Sequence, residues 1–145
     1  MTERHTNIPA TYLVLKKDGR VLLSRRFNTG YEDGKYSLVA GHVERGETFT
    51  HAIIREAYEE AGVLVKKNDL QAVHVMQRKS NAEIDRVEVF FAASEWRGEI
   101  ENKEPDQCDD LAWFDIERLP ENMVPCVRHA LECIRRGEIY SQFGW

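Results

Sequence analysis

Apolar positions recur along the chain in short runs that keep a strand period, interrupted twice by stretches with a helical one. Residues 11–17 and 21–24 are two strand-like runs, and Asp18-Gly19 between them is a tight-turn signal, which predicts a hairpin. Gly30 opens a polar loop (GYEDGK), and a short strand is predicted over 36–40. A helix is predicted over 50–61, stopped by Gly62, a residue free to take the left-handed C′ conformation. Two longer strands, 70–79 and 84–96, flank the polar tip Ser80-Asn81-Ala82-Glu83. A short strand over 111–115 and a second helix over 124–136, ending at Gly137, complete the pattern. Strands outnumber helices, and their order predicts the α/β class: a sandwich with a mixed sheet packed between helices.

At 145 residues, the chain is predicted to form one domain, 1–145, with no repeat or linker dividing it. Lysine plus arginine number 20 against 25 aspartates and glutamates, a formal charge of −5. General nucleic-acid binding needs a basic surface, so it is not expected. A protein this acidic that handles phosphates needs local cations, either arginine clusters or metal ions. Residues 1–7 hold no apolar signal core and no run reaches membrane-spanning length, so a cytoplasmic protein without a membrane partner is expected. Cys108, Cys126 and Cys133 show no CxxC spacing, and their odd number points to buried thiols rather than a disulfide framework.

The most informative segment is the helix over 50–61. At 100° per residue, Glu56, Glu59 and Glu60 fall within an arc of about 100°, with Ile53, Ile54, Ala57, Tyr58 and Ala61 on the opposite, buried side. The helix is therefore expected to be amphipathic, with three carboxylates bunched on its outer face. Most charged faces are simply solvated, but three features here argue for a bound cation. Glu56 and Glu60 are like charges at i,i+4, a repulsive spacing. Glu60 finds only Leu64 four residues on, so the helix offers it no partner. All three carboxylates also sit at the negative end of the helix dipole, where cations belong. Two carboxylates about 5 Å apart repel by roughly 3 kcal/mol at an effective dielectric of 20. A divalent cation relieves all of this, and carboxylate oxygens select a hard ion, Mg²⁺ where phosphates are the substrate. Glu47 and Arg55 offer an opposite-charge pair that ties the preceding loop to the helix.

Gly41, five residues, Glu47, seven residues and then Arg55-Glu56-Ala57-Tyr58-Glu59-Glu60-Ala61-Gly62-Val63 resembles the Nudix box in full, apolar positions included. Seven specified residues at average usage make a chance match on the order of 10⁻⁸ per window. The strand order on both sides is similar to the rest of the Nudix fold, so the resemblance, to the MutT type in the loop over 102–105, spans most of the chain. It implies hydrolysis of a nucleoside diphosphate linked to another group, with Mg²⁺ or Mn²⁺ held by the box helix. It further implies metal ligation by Glu56, Glu59 and Glu60, with Glu59 and Glu60 close to the chemistry. Glu47 and Arg55 become the orienting pair, and the carbonyl of Ala40, where relatives often carry glycine, a backbone ligand. A loop well after the box often adds an acidic ligand or base. Glu104, in Asn102-Lys103-Glu104-Pro105 ahead of Trp113-Phe114, is the candidate, the alternative being a plain loop glutamate.

Secondary motifs that mark substrate classes in the family are missing here. Arg78 stands where ADP-ribose hydrolases show a proline, and Ser80 where dinucleoside polyphosphate hydrolases favour a tyrosine. The NADH-class motif is absent, and Leu22-Leu23-Ser24-Arg25-Arg26 matches only the start of a coenzyme A signature. By elimination the expectation is a nucleoside triphosphate pyrophosphohydrolase releasing the monophosphate. The alternatives are a nucleotide-sugar or other nucleoside diphosphate-X hydrolase, and a non-catalytic nucleotide-sensing module. Each implies a small-molecule nucleotide partner. Arg25 and Arg26, ending the first hairpin, are either phosphate or base contacts or surface arginines. Tyr36, with Phe27 and Tyr31, is a candidate for stacking on a base, core packing being the other fate. Asp109 and Asp110, expected just before the strand carrying Trp113, either read a base edge or cap and face solvent. The aromatic tail 139–145 either docks on its own domain or covers a partner subunit in a homodimer.

Overall fold

A computed structural model describes residues 2–80 and 83–145. The strand β1 (Ile8–Lys17) is the pivot of the architecture, buried without a break from Ala10 to Leu15. Its alternation sends Tyr12 and Val14 into one apolar cluster and Leu13 and Leu15 into another on the opposite face. Continuous burial, rather than an alternating in–out pattern, is what a strand covered on both faces requires.

β1 turns through Asp18 and Gly19, at φ of 52° and 74°, into β2 (Arg20–Arg26). Positive φ at both central positions is the type I′ turn whose twist suits a hairpin, so the predicted hairpin is present. It is short. After Lys16↔Val21 the two strands part and take different partners. β2 pairs with β3 (Tyr36–Ser37) and with β7 (Cys108–Asp115), both antiparallel. β1 pairs antiparallel with β4 (Val39–His42) and parallel with β6 (Asp85–Ala93). The single strand expected over 36–40 is therefore two, because its first half is hydrogen bonded to β2 and its second to β1. β6 pairs antiparallel with β5 (Gln71–Lys79), which carries β8 (Tyr140–Phe143) in parallel on its other side. Asn81 and Ala82, of the polar tip between β5 and β6, lie outside the described residues.

Two helices close the two faces. α1 (Phe49–Ala61) packs Ile53, Ala57 and Ala61 on the Leu13 and Leu15 side, and α2 (Pro125–Arg135) packs Val127, Ala130 and Leu131 on the Tyr12 and Val14 side. The expected α/β/α sandwich with a mixed sheet is thus the fold. Thr48 caps α1 by accepting from the His51 N–H at 3.0 Å, and Gly62 ends it at φ 71°. The tail docks on its own sheet as β8, pinned by the buried His74, whose Nδ1 lies 2.8 Å from the Glu138 carbonyl and Nε2 2.7 Å from Ser141 Oγ. All three cysteines are buried and unpaired. Among the described residues no helix is long and apolar enough to cross a membrane.

Candidate active site

β4 runs beside α1 and delivers Ala40 and Gly41 to it. Gly41 lies so close that a Cβ there would overlap the Glu56 carboxyl, so space rather than backbone angle demands glycine. The Ala40 N–H reaches Glu60 Oε1 at 3.5 Å. This docking corrects the helix face read from 100° spacing. Tyr58, expected inside, is 55% exposed and Ile54 half-buried, while Ala52, Ile53, Ala57 and Ala61 form the seam. The carboxylates do not share an outer face either. Glu56 and Glu60 are turned inward and, with the exposed Glu59, wall a cleft of about 530 Å³ between α1, β4 and the loop before β7.

Glu104 joins them from that loop. The N–H groups of Glu101 and Lys103 donate to the carbonyls of Ala61 (3.0 Å) and Glu60 (3.1 Å), acceptors that the end of α1 leaves without helical partners. Asn102 then fixes the turn, accepting from the Glu104 N–H at 3.0 Å and donating to the Cys108 carbonyl at 2.6 Å. Burial raises the Glu104 carboxyl above its ordinary value, and the charges of Glu56 and Glu59 add to the effect. Glu60 is raised further, by burial first, then by a hydrogen bond and charge from Glu56 and by the charge of Glu104. The four carboxylates therefore meet electrostatically, although one is remote in sequence.

Arg55 is the cation set among them. Its Nε and Nη2 donate to the two oxygens of Glu47 at 2.8 and 2.9 Å, as the sequence suggested. Its Nη1 donates to Glu56 Oε1 at 2.7 Å and lies 3.3 Å from Glu59 Oε2. Among the described residues no three His, Cys, Asp or Glu side chains stand close enough to grip a metal between them, and Arg55 takes up carboxylate oxygens that such a cage would use.

The candidate substrate contacts are distributed differently from the expectation. Arg26 lines the cleft. Arg25 instead donates to Asp109 Oδ1 at 2.7 Å. The Tyr36 hydroxyl donates to Asp110, and its ring packs in the core, edge-on to Phe114 at 4.8 Å. Burial, helped by Asp110, pushes that hydroxyl up to about 12. Asp109 and Asp110 lie inside β7 and not before it, since pairing with β2 extends back to Arg26↔Cys108; Arg25 neutralises Asp109, and Asp110 accepts from the Tyr36 hydroxyl. Ser24, Thr29 and Gln107 also line the cleft. Isolated polar residues carry no spacing signal, so sequence reasoning passed over them.

A mixed sheet clasped between two helices, one of which walls a carboxylate-lined cleft, defines an α/β sandwich with its site at the end of α1. The family model of the NUDIX domain matches residues 6–132, and the chain belongs to the NUDIX domain family. It is 33% identical over 137 residues to an NAD-capped RNA hydrolase NudC of Chromobacterium violaceum, covering 90% of this chain and 49% of the relative. The chain thus spans about half the length of that curated relative. It is 31% identical to an oxidized purine nucleoside triphosphate hydrolase of Danio rerio, over 76% of this chain and 67% of the relative. Among solved structures, a MutT NUDIX hydrolase from Burkholderia pseudomallei superposes with a TM-score of 0.81 at 27% identity, over 88% of this chain and 98% of that one.

Proposed function

We propose that residues 1–145 act as one domain that hydrolyses a nucleoside triphosphate to the monophosphate and pyrophosphate with a divalent metal. The observation that carries this reading is the convergence of Glu56, Glu60 and Glu104, from a helix and a distant loop, on one cleft. Similarity to a relative named for oxidized purine nucleoside triphosphates, and to a MutT structure that this chain nearly spans, supports the substrate class.

By donor chemistry, though not by the spacing of the carboxylates as they stand around Arg55, the residues fit a hard cation, Mg²⁺ or Mn²⁺. The donors are all oxygen, and the Glu60 and Glu104 carboxyls are raised by burial first and by neighbouring carboxylate charge second, both of which a cation would offset. Glu56, Glu59 and Glu60, with the Ala40 carbonyl, would hold it. When bound, such an ion neutralises charge developing on the phosphate oxygens and acidifies water. The protein's own groups do the rest. Glu47 fixes the Arg55 guanidinium, which in turn sets the Glu56 and Glu59 carboxylates. Glu104 takes the proton from a water attacking phosphorus in line, and its raised pKa makes it a stronger base than an ordinary carboxylate. As the water oxygen bonds to the α-phosphorus, the bond to the bridging oxygen breaks and pyrophosphate leaves.

The test is a screen of nucleoside triphosphates, nucleotide sugars and dinucleotides with Mg²⁺, reading released phosphate and pyrophosphate. Triphosphates should turn over fastest and yield pyrophosphate. Faster turnover of a nucleotide sugar or dinucleotide would transfer the assignment to the nucleoside diphosphate-X class, and binding without turnover to a sensing module.

A further inference from the structure

Beside the acidic cleft lies a second cavity, of about 290 Å³, with the opposite chemistry. The two share Arg26, Ala40 and Gly41 at their border. The first is walled by Glu44, Glu56, Glu59, Glu60 and Glu104; the second is lined by Arg26, Arg78, Arg86, His42, Tyr31 and Ser80, with no carboxylate among the described residues of its lining. Arg78 is already neutralised by Glu88 at 2.7 Å. Arg26 and Arg86 hydrogen bond only to neutral groups among the described residues, although Asp33, on the far side of Thr29, also feels the Arg26 charge. Arg26 donates to the Tyr31 carbonyl (2.7 Å) and Thr29 hydroxyl (3.1 Å), and Arg86 Nη1 lies 3.1 Å from His42 Nε2.

Among the described residues, the buried Arg86 Nε finds no hydrogen-bond partner. Native structures pair almost all such donors, and a guanidinium N–H held out of water asks for an acceptor, best an anionic one. In a protein of net charge −5, two guanidinium groups lining one cavity and hydrogen bonded only to neutral groups mark the place of an oxyanion.

We propose that this basic cavity receives the terminal phosphate of the nucleoside triphosphate, with Arg86 and Arg26 as its donors. The polyphosphate then runs from the basic cavity to the acidic cleft across Ala40 and Gly41, and the enzyme prefers a triphosphate to a diphosphate. The identity of the anion rests on the pyrophosphohydrolase reading; the cavity's affinity for phosphate does not.

The experiment is titration of the whole chain with inorganic tripolyphosphate in EDTA, where neither metal nor turnover contributes. Arg86→Gln should weaken binding about tenfold or more, the loss of a charge-assisted donor pair. Arg135→Gln, which removes the same charge from the far end of α2, should bind like wild type. In the unmutated protein the Arg86 Nε–Hε resonance should shift during the titration, which keeps the test valid if Arg86→Gln folds poorly. Unchanged affinity in Arg86→Gln, an unmoved resonance, or equal weakening by Arg135→Gln overturns the proposal. So does a phosphate-free nucleoside that moves the same resonance, since the cavity would then read a base. Arg86-dependent binding in a protein that hydrolyses no triphosphate counts against the proposed function alone. Triphosphate hydrolysis with Arg86→Gln binding like wild type counts against this cavity alone.

Discussion

Arg78 and Glu88 form a two-point ion pair inside the sheet, with Nε 2.7 Å from Oε1 and Nη2 3.2 Å from Oε2. The Tyr12 hydroxyl completes the group by donating to Glu88 Oε2 at 2.6 Å, and Glu88 is 0% exposed. Burial, with the Glu88 charge beside it, holds the Tyr12 hydroxyl protonated well past its ordinary value. Three strands, β1, β5 and β6, are thereby cross-linked under the basic cavity.

Removing one member leaves the other as an unpaired buried charge. Arg78→Met should therefore destabilise the protein by about 3–5 kcal/mol, and adding Glu88→Leu should recover most of that loss. Urea denaturation of the single and double variants measures both. A single variant within about 1 kcal/mol of wild type would mean that water reaches Glu88 and the group is not a dry network.

The Glu47 carboxyl is held at about 2, chiefly by Arg55, then by the Glu44 N–H and His51. A folded pKa below the unfolded one contributes stability that is present above the unfolded value and lost as pH falls through the folded one. For Glu47 that window runs from its ordinary 4.5 down to about 2. Wild type should lose stability across it, and Glu47→Gln, already lacking the charge, should show a flatter profile there and a lower stability at neutral pH. Urea midpoints between those limits decide it; parallel profiles would show that the pair does not stabilise the fold.

The box helix was legible because its chemistry is local. Like charges at i,i+4, a C′ glycine and an Arg–Glu pair are all written within one stretch of chain. What failed there was the direction of the faces, since β4 covers one edge of the acidic arc and turns Glu56 and Glu60 inward while leaving Tyr58 outside. The split of 36–40 into β3 and β4 has the same origin: a change of partner strand leaves no mark in residue periodicity. β8 is shorter than any dependable pattern and owes its existence to β5 and to His74. Of the Arg86 cavity only Arg26 and Tyr31 were singled out as candidate substrate contacts, because its lining is assembled from five separate segments of the chain.

Glu60→Gln should lower kcat by roughly a hundredfold or more, because it strips charge from the metal platform while keeping the shape. Its effect on the metal-free fold has the opposite sign. A carboxyl with a raised folded pKa contributes stability below its unfolded value that disappears as pH rises through the folded one. At neutral pH the glutamine variant without metal should thus be at least as stable as wild type, the advantage closing below the ordinary carboxylate range. Mg²⁺ should raise the Tm of wild type more than that of the variant. Thermal melts in EDTA and in Mg²⁺ provide the check, and near-normal turnover at saturating Mg²⁺ would remove this face from the site.

Glu104→Gln tests the loop. If Glu104 takes the proton from water, kcat should fall by about ten- to a thousandfold with KM little changed, since the side chain acts on water and not on the nucleotide. The pH profile separates a base from a positioning residue. Wild-type kcat should rise with pH through a pKa above the ordinary carboxylate range, because burial and the Glu56 and Glu59 charges hold the Glu104 proton on. That limb should vanish in Glu104→Gln and persist in Asp106→Asn, a loop neighbour whose charge only adds to the shift. The loop itself should stay in place, as its anchors are backbone N–H groups of Glu101 and Lys103 on the carbonyls of α1 and the Asn102 side chain, none of which the substitution touches. If Glu104→Gln retains wild-type kcat and the same acidic limb, the base is another group and Glu104 is a bystander at the cleft's edge.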